Sequence, residues 1–179
     1  AGIEEHADVL LLAGDLTKYG TPDEARVVVH ELERVTVPMI AVLGNHDHHM
    51  DLGHEVRHEL EAVGVVVLEG TSAPVHVAGG SERLVVVGAK GFGGGFAGAC
   101  GTEFGEPEMR AFVHYSKRLA ASLTSSLQDL ETDVRIALMH YAPVEDTLEG
   151  ERLEIYPFLG SYLLAEAVDT GRADLAVHG

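Results

Sequence analysis

The chain has 179 residues, 46% of them apolar and 23% charged, which is the profile of a folded globular protein and not of a disordered one. Lys and Arg total 12 against 29 Asp and Glu, a net charge of −17, and so large an acidic excess argues against sequence-tolerant binding to nucleic acid or anionic membranes. No apolar run approaches the roughly 18 residues of a membrane span, and residues 1–8 hold Glu4, Glu5 and Asp8 where a secretory leader would be basic.

The single cysteine, Cys100, cannot close an internal disulfide or build a thiolate zinc site, which fits a reducing, cytoplasmic setting. The length suits one domain over 1–179. Apolar runs alternate with helical patterns along it, which predicts α/β layering. Ala7–Ala13 reads as a buried strand ending at Gly14-Asp15. Thr21-Pro22-Asp23-Glu24 then reads as a helix start, with Thr as N-cap, Pro at the first helical position and Glu placed to close a capping box.

Pro38–Leu43 reads as the next strand and runs into Gly44-Asn45-His46-Asp47. A helix around His54–Val63 leads to a strand at Val65–Leu68, and Pro74–Ala78 with Arg83–Val87 reads as a hairpin. A long helix is expected from Pro107 to Leu130, with Met109, Phe112, Val113, Leu119, Ala120, Leu123, Leu127 and Leu130 on its apolar stripe. The strand Val134–Met139 delivers His140, a helix covers Ser161–Thr170, and a last strand covers Asp174–Val177.

Asp15, Asn45 and His140 each stand just past a predicted strand end. Ligands of open α/β sheets gather outside the carboxyl ends of the strands, so the three loops are candidates for one site. Gly-Asp after a strand is by itself an ordinary turn device, and a lone His is a weaker signal still. The ordered set Gly14-Asp15-Leu16-Thr17, Gly44-Asn45-His46-Asp47 and Leu138-Met139-His140-Tyr141-Ala142-Pro143 is specific, and it resembles the calcineurin-like metallophosphoesterase family.

The resemblance implies an α/β fold of two packed β-sheets flanked by helices, a four-layer αββα sandwich. It also implies hydrolysis of a small phosphate ester by a metal-bridging hydroxide, with two divalent ions (Mn, Fe, Zn or similar) as cofactors. Asp15 would bridge the ions, and Asn45 and His140 would hold the second. His46 would serve the leaving oxygen as a catalytic group, and Asp47 would orient His46. The Gly-Asp-Leu-Thr form is similar to the cyclic-nucleotide phosphodiesterase branch, which favours a phosphodiester. A phosphomonoesterase and a non-catalytic scaffold are the alternatives.

Two departures accompany the match. No Asp-x-His precedes Asp15, and the chain stops at Gly179, the glycine that opens the family's closing Gly-His-x-His. The expectation is therefore a fragment truncated at both ends, holding at most one ion weakly and inactive alone, with His178 not a ligand.

Several motifs compete for attention. His54-Glu55-Val56-Arg57-His58 is a literal His-Glu-x-x-His, but the metzincin continuation fails at Glu61 and Gly64, so a solvated helix face is expected. Gly93–Gly98 satisfies G-x-G-x-x-G without a helix opening from it, which leaves a flexible loop or one bordering the substrate opening. Cys100 is expected to be incidental, His48 and His49 exposed, and Tyr156–Gly160 either near the pocket or packed on the following helix.

Overall fold

The computed structural model describes residues 2–77 and 79–179. Strands β1 (Leu10–Ala13), β2 (Met39–Val42) and β3 (Val65–Val67) form a parallel sheet in that order. Helices α1 (Pro22–Leu32) and α2 (Gly53–Glu61) make the crossovers. A second sheet has the order β4 (Thr71–Val75), β5 (Leu84–Ala89), β8 (Val134–Met139), β9 (Leu175–His178). Only its β4–β5 pair is antiparallel. Between β5 and β8 lie the short ribbon β6 (Gly95–Phe96) and β7 (Ala99–Cys100) and the long helix α3 (Pro107–Gln128). The one-turn α4 (Tyr156–Leu159) and α5 (Tyr162–Gly171) precede β9.

The strand alternation builds the layers. Along β2 every residue is buried, yet Met39 and Ala41 pack toward α1 and α2 while Ile40 and Val42 face the other sheet. Successive strand side chains point to opposite faces, so one buried strand serves two cores. Ile40, Val42, Val86, Ile136 and Leu138 fill the seam between the sheets. Val87, Ala89, Ala137 and Met139 pack outward against Leu123 and Leu127 of α3 and Leu164 of α5. The result is the expected αββα sandwich. Gly88 sets the sheet spacing, because a Cβ there would come 2.9 Å from Val42 Cγ1 across the seam.

Local chemistry explains the element ends. Thr21 Oγ1 accepts the Glu24 N–H at 3.3 Å and Glu24 Oε2 accepts the Thr21 N–H at 3.3 Å, so the capping box is complete. Such a cap is worth about 1 kcal/mol. Ser161 caps α5 by accepting the Leu163 N–H.

Three expectations shift. The hairpin strands run Thr71–Val75 and Leu84–Ala89, three residues earlier at the start and two later at the end. Pro74 is tolerated because β4 is a sheet edge; Ala78, expected to end that strand, lies outside the described residues. On α3, Met109 is 44% exposed and Ser116 takes a buried position, its hydroxyl donating to the Gly93 carbonyl.

The glycine-rich segment is not a free loop. Residues 93–96 are buried, with Gly94 N–H donating to Pro157 O at 2.7 Å and Gly95 N–H to Gly160 O at 3.0 Å. A Cβ on Gly93 would come 2.6 Å from the Pro157 carbonyl oxygen, so close backbone contact with the 157–160 segment accounts for a glycine there. Tyr156 packs edge-on against Phe96 within the same assembly.

Candidate metal centre

The carboxyl ends of β1, β2 and β8 meet across the seam, and the loops leaving them carry Asp15, Asn45 and His140. The turn after β1 is unusual, because Gly14 (φ 89°) and Asp15 (φ 52°) both lie in the left-handed region. For a non-glycine residue that conformation is uncommon and clusters at functional sites. It turns the Asp15 carboxylate back over Gly44, where a Cβ would collide with Asp15 Oδ1. Glycine at 44 thus makes room for the carboxylate.

Asp15 Oδ1 accepts the His46 N–H at 2.9 Å and lies 3.3 Å from His140 Nε2. Asn45 Oδ1 lies 3.0 Å from the same nitrogen. The other ring nitrogen, His140 Nδ1, is 2.8 Å from the Ala13 carbonyl oxygen. A carbonyl only accepts, so Nδ1 donates there, and Nε2 is the ring atom turned toward Asp15 and Asn45. A carboxylate oxygen and an amide oxygen therefore both approach one imidazole nitrogen. Such a set repels itself until a cation or proton sits among it, and the backbone bond at Nδ1 is the usual orienting contact of a metal-binding histidine. The donor set fits a divalent ion. Among the described residues, no three His, Cys, Asp or Glu side chains gather as a metal site; here two of them are completed by the amide of Asn45.

His46 stands beside this set. Its Nδ1 is 2.8 Å from the Lys18 carbonyl oxygen, so it donates there and leaves Nε2 free, 3.9 Å from Asp15 Oδ2. The side chain is 51% exposed and opens to solvent.

Asp47 does something other than expected. It is fully buried, and its carboxylate accepts from Thr17 N–H (2.8 Å), Thr17 hydroxyl (2.7 Å), Gly44 N–H (2.7 Å) and Leu16 N–H (3.3 Å). These four bonds compensate the burial of a charge and tie the Asp15 loop to the Asn45 loop. The expected role of orienting the His46 ring falls to the Lys18 carbonyl, because the carboxylate points inward while the imidazole points out.

The remaining histidines sort by exposure. His54 and His58 are exposed on α2, opposite the buried Val56 and Leu60. His48 and His49 are exposed after the Asn45 turn, and the protein packed around His48, followed by the charge of Lys90, lowers its pKa. Gly179 reaches the site: a Cβ there would lie 2.8 Å from His140 Nδ1. His178 Nδ1 bonds to the Gly179 oxygen at 2.8 Å.

One group escapes the sequence reading. Lys90 is buried at the end of β5, and its carbonyl accepts the N–H of His140 (3.0 Å) and of Tyr141 (3.1 Å). Its signal is the one that marks the other three, a polar residue just past a strand end, but the apolar pattern ends that strand at Val87. Beside it, burial and then the charge of Asp15 push the Tyr141 phenol up to about 12.

With this geometry in place, the class of the protein follows. The family model of the calcineurin-like phosphoesterases matches residues 1–179, and the chain belongs to that family, whose general chemistry is metal-dependent phosphoester hydrolysis. Among solved structures, it is similar to the phosphopantetheinyl hydrolase PptH from Mycobacterium tuberculosis, at 18% identity and a TM-score of 0.70, over 96% of this chain and 71% of that one. It is also similar to TT1561 of Thermus thermophilus, at 18% identity and a TM-score of 0.56, over 98% of this chain and 70% of that one. At such identities the likeness is one of fold. No curated protein matches the sequence. No helix among the described residues is long and apolar enough to cross a membrane.

Proposed function

We propose that the protein hydrolyses a small phosphodiester, working in the cytoplasm with two divalent ions. The observation that carries this reading is the approach of Asn45 Oδ1 and Asp15 Oδ1 to His140 Nε2, at 3.0 and 3.3 Å, beside the half-exposed side chain of His46. When bound, paired divalent ions supply an activated water at neutral pH and a clamp on phosphoryl oxygens.

The chain's own residues do the rest. Asp15 would be the shared carboxylate, and Asn45 and His140 would hold one ion with it. His140 keeps Nε2 aimed inward because the Ala13 carbonyl holds its Nδ1. His46, braced by the Lys18 carbonyl at Nδ1, faces the substrate, and in its imidazolium form, with a proton on each ring nitrogen, it would give the Nε2 proton to the oxygen that leaves. Asp47 keeps the two loops in register. The diester preference rests on the Gly14-Asp15-Leu16-Thr17 form, and the net charge of −17 favours a small substrate over a nucleic acid.

The test is hydrolysis of bis(p-nitrophenyl) phosphate by the full-length protein with Mn²⁺, together with elemental analysis. Two ions per chain and a loss of turnover in Asp15→Asn are expected. An active preparation with one ion or none, or an Asp15→Asn variant with unchanged turnover, would overturn the reading.

A further inference from the structure

Lys90 is 8% exposed; among the described residues its Nζ makes neither an ion pair nor a hydrogen bond, and the tip of the side chain is where the residue keeps its contact with solvent. Three rings surround it instead: Phe92 with its centroid at 5.3 Å, Tyr115 at 5.7 Å and Tyr141 at 6.0 Å. Aromatic faces attract an ammonium and hold it in place. They do not neutralise it, and an ammonium with little solvent left and no contacting counter-charge is held at a cost. The Glu69 carboxylate acts on the ammonium from a distance and makes its close approach at the Lys90 main-chain N–H, 3.4 Å away.

The position of this cation matters. Ala89 pairs with Met139, so the Lys90 main chain runs beside that of His140, about 4.8 Å away in the pairing direction, and Nζ faces the ring of Tyr141, the residue after His140. The Lys90 carbonyl holds the His140 N–H, and its charge is felt at His48 on the Asn45 loop. A pre-positioned cation therefore flanks the metal centre on the side away from β9.

We infer that Lys90 receives a second phosphate of the substrate, one that is not cleaved, so that the site selects esters carrying two phosphoryl groups. This rests on the proposed phosphodiesterase reading and names its substrate class. The rings and β5 keep the ammonium in place, and the incoming phosphate supplies the contacting counter-charge that the fold omits. A neutral or singly charged ester leaves Lys90 unpaired, and its affinity is correspondingly poorer.

Binding, not turnover, tests this. In the EDTA-treated full-length protein, inorganic phosphate titrated by calorimetry should bind, with affinity falling about tenfold or more in Lys90→Met and persisting in Lys90→Arg. With Mn²⁺ restored, thymidine 3′,5′-bisphosphate should bind about tenfold tighter than thymidine 5′-monophosphate, and Lys90→Met should erase that difference. If Lys90→Met does not fold, Lys90→Gln replaces it in both arms. Wild-type protein that ignores phosphate, fails to discriminate the two nucleotides, or discriminates equally well without the lysine overturns the inference. Absence of diester hydrolysis alongside retained discrimination would instead sink the catalytic reading alone.

Discussion

Asp47 Oδ1 accepts both the main-chain N–H and the hydroxyl of Thr17, at 2.8 and 2.7 Å, across 30 residues of sequence. Its other oxygen takes the Gly44 N–H at 2.7 Å. A single buried carboxylate thereby fastens the loop that carries Asp15 to the loop that carries Asn45. The spacing of the Asp15 and Asn45 loops thus depends on a residue whose carboxylate is turned into the protein.

Asp47→Asn places an amide N–H₂ among N–H donors that it cannot satisfy. Stability is expected to fall by about 3 kcal/mol, the range for breaking a buried hydrogen-bonded charge. Urea unfolding of the variant beside wild type measures this. A midpoint within error of wild type would show that the four bonds carry little energy.

Gly44→Ala tests the room made for Asp15. The added Cβ meets the Asp15 carboxylate and its main-chain nitrogen, so the carboxylate must swing away from His140. Mn²⁺ affinity should drop by about 10–100-fold, the cost seen when a ligand loses its support. Affinity equal to wild type, with far-UV dichroism unchanged, would mean that the loop relaxes freely.

His46 separates catalysis from metal holding. His46→Ala should leave the Mn²⁺ content intact and lower diester turnover by about 10²–10⁴, the span for a positioned acid–base group. The double change of His54 and His58 to Ala should leave both turnover and metal content as they were, because those rings stand in solvent on α2. Loss of metal in the double variant would point to α2 as the metal-binding element.

Lys90 also predicts a pH signature. Burial holds its ammonium below 10.5 in the folded chain, with the charge of Glu69 opposing. Between that lowered value and 10.5, the unfolded chain binds the proton more tightly than the folded one, so stability rises with pH across the window. Lys90→Met removes this component. The variant should be more stable than wild type at about pH 7, and the gap should narrow as pH rises toward the ordinary lysine range. Parallel stability–pH curves for the two proteins would contradict the assignment.

What the sequence determined by itself was local or periodic. Thr21 and Glu24 stand three residues apart, so their capping box follows from spacing alone. The alternation along Met39–Val42 marks a strand between two cores, and Asp15, Asn45 and His140 each follow an apolar run. Their convergence was legible as an ordered pattern, because parallel strands deliver their carboxyl ends to one edge. Tertiary structure alone decided which partner each polar group meets. Nothing near Asp47 in sequence says that its carboxylate turns inward to Thr17 and Gly44 and leaves the His46 ring to the Lys18 carbonyl. Nothing near Gly93 says that its missing side chain admits the Pro157 carbonyl instead of freeing a loop. Lys90 is an ordinary surface residue by composition and becomes a buried cation only because β5 runs two residues further than expected and α3 brings Tyr115 over it. Hydrogen-bond partners and desolvation depend on atoms distant along the chain, and those distances exist only once the sheets have packed.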